Sequence, residues 1–325
     1  GRGATDENEP LVCMERVTFL PPDRRTLPVL ARYSRLHVNG DTRVVGYTEA
    51  SRGCKHLCRH CPVVPVYRGQ FRIVQAEVVL ADIRAQVAGG AQHITFGDPD
   101  FLNGPTHARR IVEALHSEFP GVTYDITAKV EHLLAVPELL MLLRDTGCLF
   151  VTTAVESIED AVLEKLEKRH RRADFLRLVG LCRDAGLTLA PTFIPFTPWT
   201  TRAGYRELLE CLADLDLVDN VGPIQLALRL LITSGSRLLE LEDVRRIVGP
   251  FDRESLMYPW VHADPETDLL ARRIMAVVTA EQRNRTPRRE VFRRIWEAAH
   301  SRPLPDNYDL LPRAVIPYMD EPWFC

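Results

Sequence analysis

The sequence predicts an α/β chain folded as a partial (β/α)6 barrel with a C-terminal extension and tail. Three observations carry that expectation. Between residues 43 and 240, β-rich runs alternate six times with helical patterns, and such alternation implies parallel strands joined by helical crossovers. Glycine or proline bounds most of the helical patterns, which marks where each unit turns. A chain of 325 residues, 46% hydrophobic, is long enough for a core of barrel size.

Residues 1–42 are expected to be irregular, with FLPPDRR as a proline-rich loop. RVVGYTEA is the first strand. AEVVLADIRAQVAGG places Val79, Ile83 and Val87 on one helical face and stops at Gly89-Gly90. HITFGDPD is a strand and turn, and PTHARRIVEALHSEFP a helix between Pro105 and Pro120. VTYDITAK is the third strand, PELLMLLRDTG a helix and CLFVTTAVES the fourth strand. IEDAVLEKLEKR and ADFLRLVGLCRDAG are helices, the second stopped by Gly186. LTLAPTFIPF is the fifth strand, AGYRELLECLADL a helix and GPIQLALRLLI the sixth strand. Beyond Ser236 the alternation ends. Residues 265–281 read as helix, and IPYMDEPWFC as a loop-like tail. The expected division is 1–42, 43–240 and 241–325.

Composition narrows the functional classes. The charge balance is 41 − 44 = −3 with interleaved signs, so no nucleic-acid footprint is expected. The basic run Lys168-Arg169-His170-Arg171-Arg172 reads as a solvated helix end. No apolar run has the roughly 18 residues that span a bilayer, and the polar stretch GRGATDENEP is not expected to be a signal peptide. Eight cysteines, three of them clustered, do not resemble a secreted disulfide framework, and a cytoplasmic location is expected.

The chemistry concentrates in ASRGCKHLCRHCP. Cys54, Cys58 and Cys61 fall within eight residues. A closed zinc site wants a fourth donor, and His56 and His60 lie too close to the thiols to complete a good tetrahedron. A 4Fe–4S cube held by three thiolates leaves one iron open to another ligand. Cys148, Cys182 and Cys211 lie in apolar patterns and read as small core hydrophobes. In a barrel the chemistry gathers where strands end, so the cysteine loop, GDPD and Val155-Glu156-Ser157 should share one rim.

The C-x3-C-x2-C spacing after a first barrel strand resembles the radical SAM superfamily over residues 43–240. The resemblance implies a 4Fe–4S cluster on Cys54, Cys58 and Cys61, with S-adenosylmethionine (SAM) on the open iron. It implies that His60, in a position that is often aromatic, flanks the adenine. Gly97 and Asp98 take the place of a Gly-Gly-Glu-like turn at the methionine amino group. Glu156 sits near the ribose or that amino group, Arg229 pairs with the methionine carboxylate, and Lys129 reaches the pocket. An electron donor such as flavodoxin or ferredoxin is implied as well.

CRHCPVVPVYRGQFR, HITFGDPDFLNGP and MDEPWFC further resemble a small radical SAM subgroup whose members end in Cys-(Cys or selenocysteine)-Ala-Glu-Pro. That subgroup looks like the enzyme of arsinothricin biosynthesis, which moves the 3-amino-3-carboxypropyl group of SAM onto trivalent arsenic. The resemblance implies a small-molecule substrate, arsenite, carried by Cys325. The second thiol or selenol of the ending is absent from this sequence. Two other readings stay open: a 5′-deoxyadenosyl-radical enzyme acting on a peptide or small metabolite, and a non-enzymatic zinc or iron–sulfur module.

Overall fold

The computed structural model describes residues 15, 17–284, 286–306, 308 and 317–319. Strands β1 (Arg35–Val38) and β2 (Asp41–Thr48) form a hairpin. Its turn is Asn39-Gly40, with φ of 50° and 82°. Two positive φ angles in a two-residue loop match the right-handed twist of the strands, and Asn-Gly tolerates both. A short ribbon, β3 (Ser51–Gly53) with β4 (Phe71–Ile73), encloses helix α1 (Val63–Tyr67). The barrel then proceeds through α2 (Ala76–Ala88), β5 (His93–Phe96), α3 (Pro105–Glu118), β6 (Thr123–Thr127), α4 (Val130–Ala135) and α5 (Glu138–Asp145). It continues with β7 (Cys148–Glu156), α6 (Asp160–Lys165), α7 (Arg172–Ala185), β8 (Thr188–Phe193) and α8 (Arg202–Asp214). Helices α9 (Glu242–Arg245), α10 (Pro265–Arg283) and α11 (Arg288–His300) precede β9 (Tyr318–Met319).

The sheet order is β8-β7-β6-β5-β2-β1-β9. Strands β2, β5, β6, β7 and β8 pair in parallel and curl into a half-barrel. Ile94, Tyr124, Ile126, Val151 and Leu189 pack into one large core with residues of the crossover helices. Alternate residues point the other way. Of these, Phe150 and Ala190 meet Leu36, Val45 and Met319 in a second cluster inside the curl.

Three expectations change. GPIQLALRLLI is not a strand: Pro223–Leu226 is a 3-10 turn, and a single parallel bridge, Phe196 to Arg229, holds the sixth place. Pro223 has no N–H for a ladder, and the Gln225 Oε1 accepts the Phe193 N–H (3.2 Å) in place of a backbone carbonyl. Residues 1–42 are not wholly irregular, since β1 joins the main sheet; the Asn-Gly pair was its signal. Part of the C-terminal tail, Tyr318–Met319, pairs with β1 in that same sheet, with Leu36 opposite Met319. Cys13 and Cys325 lie outside the described residues.

Candidate functional site

The carboxyl ends of β2, β5, β6 and β7 share a rim, where the cysteine loop is built. Ribbon β3–β4 clamps residues 54–70 at their base. Gly53 has φ +84°, and a Cβ there would lie 2.6 Å from the Gln70 carbonyl oxygen, so glycine alone closes the ribbon. Asn103 Nδ2 donates to the Gly53 carbonyl (3.2 Å). The Ala50 N–H and the Ser51 hydroxyl donate to the two oxygens of Asp98 (2.9 and 2.6 Å). The Arg59 N–H donates to the Leu166 carbonyl (3.0 Å), and its guanidinium pairs with Glu167 (2.7 Å). Ser236 Oγ donates to the Arg59 carbonyl (3.1 Å). Loop geometry is thus imposed from several sides before any ligand arrives.

Cys54, Cys58 and Cys61 are free thiols, Cys58 buried and the others half-buried. Burial pushes Cys54 up to about 11 and also raises Cys61, with Cys58 adding to both. Bare thiolates at Cys54 and Cys61 are therefore disfavoured, and a shared cationic centre offsets that cost. Both loop histidines are engaged. His56 Nε2 lies 3.0 Å from His132 Nε2, and His60 Nε2 lies 3.1 Å from Glu156 Oε1. Cys148, Cys182 and Cys211 are buried in the helix-covered core. The donor set fits a 4Fe–4S cluster ligated through three irons better than a closed zinc tetrahedron, which lacks its fourth donor.

Glu156 ends β7 with φ 69°, a left-handed conformation that costs a non-glycine residue about 1–3 kcal/mol. Burial pushes its carboxyl up, but Lys168 (3.4 Å) and His60 together outweigh this and bring it down to about 2. Lys168 is buried, and His170, also buried, donates through Nε2 to the Val155 carbonyl (3.2 Å). The basic run is therefore not simply a solvated helix end. Lys168 and His170 fold inward, where the Glu156 carboxylate and the Val155 carbonyl accept from them.

Lys129 follows β6 and is buried. Its Nζ lies 3.6 Å from Cys58 Sγ and 2.6 Å from Glu131 Oε1. His56 Nδ1 is 3.2 Å from the same carboxylate oxygen, and His132 Nδ1 is 2.6 Å from Asp100 Oδ2. Asp98 faces inward, and burial raises its carboxyl to about 6. At Gly97 a Cβ would fall 1.8 Å from the Tyr47 hydroxyl, so Tyr47 can lie across this turn only because it is glycine. Arg229 stands apart: its guanidinium is paired with Asp268, donates to the Trp260 carbonyl and stacks 3.7 Å over the Trp260 ring. Reaching a carboxylate ligand would require release of that ion pair. The structure thus gathers Cys54, Cys58, Cys61, His60, Lys129 and Glu156, with Gly97 and Asp98 supporting from below. It adds His56, Asp100, Asn103, Glu131, His132 and Lys168. Of these, His56 and Lys168 stood in the cysteine loop and the basic run of the sequence, and only the polar density of DPDFLN and KVEH signalled the other four.

The Radical SAM superfamily model matches residues 48–212, just over half of the sequence. The chain belongs to the radical SAM superfamily. Its cofactors are those of the family, a 4Fe–4S cluster and SAM. Among curated relatives, the ribosomal protein uS12 methylthiotransferase RimO of Geobacter sulfurreducens is 27% identical over 190 residues, covering 54% of this chain and 41% of the relative. The tRNA-2-methylthio-N(6)-dimethylallyladenosine synthase of Desulfosudis oleivorans is 29% identical over 191 residues, covering 55% and 38%. This radical SAM chain spans about two fifths of the length of those relatives. In fold it is similar to the cobalamin-dependent SAM radical enzyme OxsB, with a TM-score of 0.60 and 17% identity, over 73% of this chain and 41% of that one. Among the described residues no helix is long and apolar enough to cross a membrane.

Proposed function

We propose that this radical SAM enzyme transfers the 3-amino-3-carboxypropyl group of SAM to trivalent arsenic, with Cys54, Cys58 and Cys61 holding the cluster and Cys325 holding the arsenic. When bound, the cluster supplies one electron and an open iron for the amino and carboxylate groups of SAM. The chain's own residues do the rest. Ribbon β3–β4 and Asp98 hold the three thiols in a fixed loop. Glu156, kept ionised by Lys168 and His60, offers a buried anion to the cationic end of SAM, and Gly97 leaves room for Tyr47 to cover the turn after β5. His60 lines the adenine side.

The direction of β9 carries the arsenic reading. β9 runs antiparallel to β1, and β1 antiparallel to β2, so β9 itself runs in the direction of the barrel strands, whose carboxyl ends carry the cysteine loop. Leu36 pairs with both Met319 and Arg43, which puts Met319 at the level of Arg43, five residues below Thr48 at the rim (48 − 43 = 5). Cys325 lies six residues beyond Met319 (325 − 319 = 6). Six residues span at most about 20 Å and five strand residues about 17 Å, so the segment is long enough to reach the level of Thr48 along the sheet. A thiol is a soft ligand suited to arsenite, and a tethered ligand acts at high effective concentration. The acidic charge balance also favours a small molecule over nucleic acid.

Mass spectrometry of SAM-derived products tests the proposal. Reduced enzyme with SAM and arsenite should give 5′-methylthioadenosine and an arsenic-containing amino acid, and Cys325→Ser should lose the arsenic product while its iron content stays normal. Dominant 5′-deoxyadenosine regardless of arsenite, with Cys325→Ser behaving as wild type, would replace this reading with hydrogen abstraction from a peptide or small metabolite.

A further inference from the structure

We infer that Lys129 sets the reduction potential of the cluster, through a charge-assisted contact to the Cys58 thiolate whose strength Glu131 limits. The inference rests on the assignment of Cys58 as a cluster ligand. Its observations are geometric. Lys129 Nζ lies 3.6 Å from Cys58 Sγ, within the range of N–H donation to sulfur. Lys129 and Cys58 are both at most 8% exposed, so water screens the contact little. The lysine is held there from both sides along the chain. It closes the turn after β6 as the residue before α4, and its ammonium is pinned by Glu131 Oε1 at 2.6 Å, on the first turn of that helix.

Hydrogen bonds and positive charge at a cluster sulfur favour the reduced state, which carries one more electron, and so raise the potential. Reduction here is a single electron passing from an external one-electron donor to the cluster, with no bond made or broken in the protein. A buried cation beside one thiolate makes that electron easier to accept. Glu131 opposes this by drawing the ammonium toward itself, so the two residues act with opposite signs. His56 shares the Glu131 oxygen at 3.2 Å and packs against His132, which in turn meets the fully buried Asp100. That line of groups fixes where Glu131 can stand and therefore how close Lys129 comes to sulfur.

The test is a redox titration of the reconstituted full-length enzyme, followed by electron paramagnetic resonance of the reduced cluster, with iron content measured alongside. Lys129→Met should lower the ratio of reduced to oxidised cluster at a fixed potential about tenfold, a shift of about 59 mV for one electron. Glu131→Gln should move it the other way, and Lys129→Arg should recover most of the wild-type value. If Lys129→Met assembles no cluster, the sign of the Glu131→Gln shift decides: a rise supports the inference and an unchanged or lowered potential overturns it. Full iron content with an unshifted potential in both Lys129→Met and Glu131→Gln also overturns it. Failure of the underlying assignment looks different, since then wild type would assemble no cluster, or the Cys58→Ala variant would keep one.

Discussion

At the residue scale, the three cysteines and two acids make distinct predictions. Replacing any one of Cys54, Cys58 and Cys61 with alanine should abolish the visible absorbance of the cluster and SAM cleavage, measured after anaerobic reconstitution. Glu156→Gln removes a buried anion that both Lys168 and His60 face. SAM affinity should fall about ten- to a hundredfold by titration with the cluster intact, the value of one charge-assisted hydrogen bond. Asp98 makes a prediction in pH. Its carboxyl is raised by burial to about 6 in the folded protein from an ordinary 3.8. The folded state therefore favours the protonated form. That contribution to stability is complete below about pH 4 and is lost as pH rises through 6. The loss is at most about 3 kcal/mol. Asp98→Asn should cancel this slope. The urea midpoint of the variant should gain on wild type between pH 4 and 7, both in the same cluster state, and equal slopes would exclude the assignment.

At the element scale, the ribbon β3–β4 decides whether the cysteine loop has a shape. Gly53 is the residue on which it turns, because of both its positive φ and the nearby Gln70 carbonyl. Gly53→Ala should cost about 1–3 kcal/mol and lower cluster occupancy, read as iron per chain; full occupancy at wild-type stability would contradict this. The hairpin β1–β2 was not expected, since residues 1–42 read as irregular, although Asn39-Gly40 is one of the few pairs that accept two positive φ angles. The absent sixth strand was not legible. Its alternating Gln225, Ala227 and Arg229 suit a strand, and only the position of Phe193, whose N–H the Gln225 side chain takes, shows why the backbone turns instead.

At the scale of the whole molecule, β9 ties the chain's far end to the sheet that carries the cysteine loop. Met319 is 9% exposed and packs with Leu36, Val38, Val45 and Phe150 inside the curl. Met319→Asp puts an unpaired carboxylate there and should free the segment. Iron content and SAM binding should hold, while the arsenic-containing product falls as with Cys325→Ser. Undiminished arsenic product from Met319→Asp would mean that β9 does not aim the tail.

The sequence by itself determined the alternation of strands and helices, five of the six expected barrel strands and the three-thiol loop at their rim. Those features are local: period, glycine and proline stops, and cysteine spacing are all written within a few residues of one another. Tertiary structure alone decided which charges meet. Lys129 and Cys58, Glu156 and His60, His132 and Asp100 come together from different β–α units, and Arg229 is claimed by Asp268 from α10. The reason is physical. A buried charge must find a partner wherever the fold supplies one, and that choice depends on the curl of the sheet, which no short stretch of sequence records.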